Sequence, residues 1–233
     1  MEYKVCILAA GVGSRMGEFS EHLNKVMLPL KGKPVISHII EKFPKYIETV
    51  VAVGHKKNTL TSYLKMAHPN RKLTFVEVDP YFGKGSGPGY SLYSCKDYLQ
   101  CPFIHIAGDT LVRENIPSPD SNWLGVSGVE DTQRFCSVRI EGDKVVQLED
   151  KTENDNKYAY IGLIGVRDWS SFWDSLGNNS RTIEGEVQVS QGINALLEKN
   201  LLVKPFTWFD TGTPSAYEHA SENYPLGKGY SGQ

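Results

Sequence analysis

Long apolar runs are missing from this chain: none approaches the roughly 20 residues a helix needs to cross a bilayer. That argues against a membrane-spanning protein. Cysteine is scarce. Cys6, Cys95, Cys101 and Cys136 are the only four and show no CxxC spacing. Neither a disulfide framework nor a common zinc pattern is therefore expected, and free thiols in a reducing cytoplasm are the simplest reading. An excess of one charge is also lacking, with 25 basic against 27 acidic residues and a net charge of -2. A non-specific nucleic-acid binder would need a basic face. Internal repeats and low-complexity linkers are absent, and Met1 to Val5 run straight into a strand pattern unlike a signal peptide.

What is present is an ordinary globular composition, 233 residues with 40% hydrophobic and 22% charged. It suits one large domain over residues 1–224, followed by a flexible tail over 225–233. Val5 to Ala10 is an apolar run ending at glycine, as a buried parallel strand does. Further strands are expected at 49–54, 73–78 and 103–108, with helices at 34–44, 58–66 and 90–99. Strand and helix alternate, and glycine-rich loops follow strand ends. The fold class expected is α/β: a doubly wound, mostly parallel, Rossmann-like sheet that binds its ligand at the strand C-termini. Beyond about residue 120, short strands at 125–129, 136–140, 145–148 and 160–166 suggest a mixed or antiparallel extension, and 215–223 reads as a helix.

The most informative stretch is Leu8-Ala9-Ala10-Gly11-Val12-Gly13-Ser14-Arg15-Met16-Gly17. Gly11 and Gly13 remove side chains where backbone must approach a ligand, and the N–H groups of such a loop cradle phosphate oxygens. Arg15 adds a guanidinium fork suited to phosphate, with Lys25 and Lys33 nearby. Two familiar alternatives fail on the letters. The dinucleotide fingerprint G-x-G-x-x-G meets Met16, and Gly54-His55 stand where it wants an acid after the second strand. The P-loop spacing is absent.

Leu8 to Met16, followed by Asn24-Lys25 and Gly32-Lys33-Pro34, resembles the signature of the nucleotidyltransferase superfamily that makes nucleotide sugars. Its members carry L-A-A-G-x-G-[ST]-R-[ML], then P-K, then G-K-P; here asparagine replaces the first proline and the lysine is kept. Later landmarks agree in order. Gly83-Lys84-Gly85-Ser86-Gly87 sits where the family's base-contacting loop belongs. Asp109, after Ala107-Gly108, sits at its magnesium-binding aspartate. Asp150-Lys151-Thr152 stands for its E-K-P, and Trp208-Phe209-Asp210-Thr211-Gly212-Thr213-Pro214 for its W-x-D-x-G-T-P.

By this resemblance the chain is expected to join a nucleoside triphosphate to a sugar 1-phosphate, releasing pyrophosphate with Mg2+. Residues 1–120 would form the nucleotide-binding half and 121–224 the acceptor half. Arg15 and Lys25 would neutralise the departing pyrophosphate. Leu8, Ala9, Ala10, Gly11, Gly13, Ser14, Gly83, Gly85, Ser86 and Gly87 would hold the nucleotide, and Asp109 and Asp210 the metal. Lys151 would bind the acceptor phosphate and Glu186 an acceptor hydroxyl. The resemblance implies no nucleic-acid or membrane partner, and it leaves self-association, base and acceptor open. A cytidylyltransferase acting on a phosphorylated alcohol stays as the alternative enzyme. A non-catalytic nucleotide sensor should have lost Lys25, Asp109 or Asp210, all of which are present.

Overall fold

A computed structural model describes residues 2–178 and 182–225. The chain enters through β1 (Lys4–Ala9) and makes a small hairpin of β2 (Pro29–Leu30) and β3 (Lys33–Pro34) before α1 (Val35–Glu41). Then β4 (Thr49–Val53), α2 (Lys57–Ala67), β5 (Leu73–Glu77), α3 (Pro88–Tyr93) and β6 (Phe103–Ala107) follow in alternation. Strands β5, β4, β1 and β6 lie side by side and all run parallel.

Successive residues of β1 go to opposite faces, and both faces are covered. Val5, Ile7 and Ala9 pack with Ile36 and Ile40 of α1 and with Leu60 and Leu64 of α2. Cys6 and Ala10 pack on the other side with Leu92 of α3 and, from later in the chain, Phe172, Trp173 and Ile193. This two-sided burial is why the strand reads as a continuous apolar run.

The expected helix at 90–99 is corrected to a shorter one. It begins two residues earlier because Pro88 supplies a preset first-turn φ, and it gives way to a 3-10 turn at Lys96–Tyr98.

The second half holds the short β7 (Thr110–Val112), then β8 (Trp123–Gly128), β9 (Cys136–Glu141), β10 (Lys144–Asp150) and β11 (Tyr158–Val166). It ends with α4 (Trp169–Asn178), α5 (Ser190–Leu197), β12 (Leu202–Pro205), β13 (Trp208–Asp210) and α6 (Pro214–Asn223). The sheet runs on past β6 as β11, β8, β12, β10 and β9, with β11 antiparallel to β6. Parallel pairing is thus concentrated in the first four strands, and the remainder is mixed as the sequence suggests. The extension also curls. The start of β11 pairs with β8 on one edge and with β9 on the other, Tyr158 opposite Val138, so five strands close into a ring. Gly162, at φ 74, lies where the β11–β8 register shifts and permits that bend. The tail over 226–233 lies outside the described residues. No described helix is long and apolar enough to cross a membrane.

Candidate active site

Two carboxylates meet at the C-terminal edge of the parallel strands. Gly108 follows the end of β6 at a close approach only glycine allows, since a Cβ there would lie 2.5 Å from the Leu8 carbonyl and 2.6 Å from Val26 Cγ1. The chain turns there, and Asp109 stands in that turn rather than within the strand. β7 then pairs antiparallel with β13, setting Asp210 opposite Thr110. The Thr211 N–H donates to the Asp109 carbonyl at 2.9 Å. Residues 101 positions apart in the chain become neighbours across one short ladder.

Gly212 marks where they converge. A Cβ there would lie 3.0 Å from Asp109 Oδ2, 3.0 Å from Asp210 Oδ1 and 3.5 Å from Arg15 Nη2. The Gly212 N–H itself donates to Asp210 Oδ1 at 2.8 Å. Oxygen donors flanking a space that only glycine leaves open suit a hard divalent cation, whose remaining positions phosphate and water fill. No group of three or more His, Cys, Asp or Glu side chains is placed to hold a metal among the described residues, so a closed all-protein metal cage is not found there.

The two acids differ electrostatically. Burial disfavours the charged form of Asp109, but the Lys25 ammonium at 2.5 Å, and Arg15 beyond it, hold its carboxyl below the ordinary aspartate value. Asp210 is raised, first by burial and then by the Asp109 charge. Like charges so close resist joint ionisation until a cation arrives.

The first glycine loop lies beside this pair. Gly13 takes φ 71 and opens a 3-10 helix over Ser14–Ser20. The Ser20 hydroxyl donates back to the Gly13 and Gly17 carbonyls. A Cβ at Gly11 would meet nothing within 4 Å, so the loop's open side is there. Arg15 is exposed and Lys25 partly buried.

In the second loop Gly83, Gly85 and Gly87 all have positive φ, at 88, 85 and 117, a backbone only glycine adopts freely. The Ser86 hydroxyl closes it by donating to the Gly83 carbonyl at 2.6 Å. This loop docks on the segment before α5: the Gly85 N–H donates to the Gly185 carbonyl at 2.7 Å and the Val187 N–H to the Ser86 carbonyl at 2.8 Å.

The acceptor-half residues divide. Glu186 is exposed and backs the second loop, its Cβ 2.7 Å from where a Cβ on Gly87 would lie. Lys151 adopts φ 49, and its ammonium is ion-paired with Glu184. Beside Lys151 lies a polar cavity of about 210 Å³ whose lining includes Glu149, Asp150, Thr152, Ser190, Gln191 and Asn194. The Ser190 hydroxyl donates to Asp150 Oδ2 at 2.5 Å.

Sequence reasoning missed the pairing of Glu184 with Lys151, and it missed Ser190, Gln191 and Asn194. It also missed the role of Asn24, whose amide holds the lysine turn to the end of β1 and to the turn after β4. The last three cavity residues lie within one turn of α5, and the apolar Ile193 and Leu196 between and after them could have revealed that helix.

Comparison with known proteins concerns the sequence and the fold. Residues 5–114 match the family model of the MobA-like NTP transferase domain. The bifunctional protein GlmU of Methanococcus maripaludis is 26% identical over 217 residues, covering 89% of this chain and 51% of that protein. The D-glycero-alpha-D-manno-heptose 1-phosphate guanylyltransferase of Campylobacter jejuni is 24% identical over 153 residues, 62% of this chain and 67% of that one. The chain spans about half the length of the GlmU relatives it matches. Among solved structures, a UDP-glucose pyrophosphorylase from Acinetobacter baumannii superposes with a TM-score of 0.78 at 15% identity, covering 99% of this chain and 95% of that one. Another, complexed with UDP-glucose, gives 0.78 at 19%, covering 96% and 98%. In sequence, residues 5–114 are similar to the MobA-like NTP transferase domain, and the chain shares its fold with the UDP-glucose pyrophosphorylase structures.

Proposed function

We propose that the chain is a nucleotidyltransferase joining a nucleoside triphosphate to a sugar 1-phosphate, with pyrophosphate as the second product. The observation that carries this reading is the convergence of Arg15, Lys25, Asp109 and Asp210 around the space beside Gly212. Two cations and two carboxylates there fit a metal-bound polyphosphate. The relatives named for GlmU, heptose 1-phosphate guanylyltransfer and UDP-glucose pyrophosphorolysis point the acceptor toward a sugar phosphate.

An oxygen of the acceptor phosphate attacks the α-phosphorus in line, and the bond to the pyrophosphate oxygen breaks. A phosphate monoester is already nucleophilic at neutral pH, so positioning and charge neutralisation do the work and no general base is needed. The loop from Leu8 to Ser14 holds the phosphates, and Arg15 and Lys25 neutralise the pyrophosphate. Gly83, Gly85, Ser86 and Gly87 face the base. Lys151 takes the acceptor phosphate, and Glu186 lies toward the acceptor. Asp109 and Asp210 would hold Mg2+, which supplies charge stabilisation to the phosphates when bound. Residues 1–120 serve the nucleotide and 121–224 the acceptor, in a reducing cytoplasm that suits the free Cys6 and Cys95.

A pyrophosphate-release screen of the common triphosphates against a panel of sugar 1-phosphates and phospho-alcohols tests this. Release that requires both a sugar 1-phosphate and a divalent cation is expected. Release only with phospho-alcohols would move the assignment to the alternative acceptor class.

A further inference from the structure

Asn24 stands where the resembling family has proline, yet its side chain is fully buried and every polar atom of its amide is engaged. The Nδ2 group donates to the Ala9 carbonyl at 2.8 Å and to the His55 carbonyl at 2.8 Å. Oδ1 accepts from the Val26 N–H at 3.2 Å and so caps the 3-10 turn Lys25–Met27. Two carbonyls on one side and an N–H on the other leave one orientation for the amide. The same group thus ties together the end of β1, the turn after β4 and the turn that carries Lys25. The lysine stem is confined as well, since a Cβ on Gly13 would come within 3.3 Å of Lys25 Cβ and 3.4 Å of its Cδ.

We propose that Asn24 is a positioning residue for nucleotidyl transfer, fixing the Lys25 ammonium against the first glycine loop and the Asp109 carboxylate. This rests on the proposed function. A proline in its place sets backbone shape but cannot make the three hydrogen bonds, so this chain holds its lysine by a side-chain clamp. The Asn24 backbone, at φ -63 and ψ 137, is one that proline adopts. Asn24→Pro is therefore compatible with the local backbone and removes the clamp, together with the backbone N–H at that position.

The test is a double-mutant cycle of Asn24→Pro and Lys25→Ala, read in kcat, in KM for the triphosphate and in triphosphate affinity by calorimetry. Misplacing a positioned charge by about 1 Å costs up to roughly 100-fold in rate. Asn24→Pro should lower kcat about tenfold or more with the triphosphate KM within about threefold of wild type. On the Lys25→Ala background the same change should add less than about twofold, because residues acting as a unit are not additive. Equal penalties on both backgrounds, or a wild-type kcat, would overturn the proposal. If Asn24→Pro does not fold, Asn24→Ser takes its place in the same cycle. A wild-type chain that turns over no substrate pair but binds triphosphate defeats the assigned reaction alone, and the cycle is then read in affinity with the same non-additivity expected. A chain that binds no triphosphate overturns both.

Discussion

The Lys25 ammonium lies 2.5 Å from Oδ2 of Asp109, on the carboxylate oxygen that also faces the space beside Gly212. The lysine neutralises the aspartate that would hold a metal. At an effective dielectric of 20, unit charges 4 Å apart interact by roughly 4 kcal/mol, so the cation should enter well only when a triphosphate draws Lys25 away. Lys25→Met should raise the affinity of the nucleotide-free protein for Mn2+ by about tenfold or more, measured by electron paramagnetic resonance, while lowering kcat by about 100-fold. Unchanged Mn2+ affinity would separate Lys25 from the metal site.

Gly212→Ala is the smallest change that reaches the same space. Its Cβ would sit 3.0 Å from an oxygen of each carboxylate. The Gly212 backbone is not among the positive-φ positions, so alanine introduces no backbone strain. We expect kcat to fall by at least about tenfold through displacement of the two acids, with thermal unfolding changed by only a few degrees. Wild-type turnover would show that the carboxylates do not act at that point.

Lys151 and Lys25 should fail differently. Lys151 is ion-paired with Glu184 and lies beside the polar cavity. Lys151→Ala should raise KM for the phosphorylated acceptor about tenfold and leave the triphosphate KM near wild type, the pattern of a lost ground-state contact. Glu184→Gln frees the lysine and should move the acceptor KM the other way or not at all. A triphosphate KM raised by Lys151→Ala would reverse the assignment of the two halves.

Stability should fall in mild acid because of His105. Burial drives its pKa from 6.5 down to about 4, and its Nδ1 has no hydrogen-bond partner among the described residues. As pH drops below 6.5 the unfolded chain takes up a proton that the folded chain refuses, so the folded state loses ground until about pH 4. The loss is roughly 2–3 kcal/mol by pH 4.5. Urea unfolding at pH 7 and pH 4.5 should show a smaller difference for His105→Gln than for wild type. Equal differences would place the acid sensitivity elsewhere.

The parts of this molecule legible in its sequence are those written locally. β1 announces itself because both its faces are buried, and the first loop because Gly13 needs a backbone that other residues resist. That Asp109 and Asp210 meet is expected only from the order of motifs, since nothing local says that β7 and β13 pair. The five-stranded ring was illegible for the same reason. Its closure depends on Tyr158 meeting Val138, a contact no periodicity encodes. Asn24 looked like a minor departure because a buried polar side chain leaves no pattern. Only its three partners reveal its task. The helix α4 was within reach, as Phe172, Trp173 and Leu176 repeat at helical spacing and are all buried.

Which phosphorus is attacked is decided most directly by the fate of label. The protein, a divalent cation and an active sugar 1-phosphate are incubated with triphosphate labelled at the α position and, separately, at the γ position. Nucleotidyl transfer predicts that α label appears in a nucleotide sugar and γ label in pyrophosphate, both only when the acceptor is present. Label from the γ position in the acceptor, or α label released as free nucleoside monophosphate regardless of acceptor, would contradict the account.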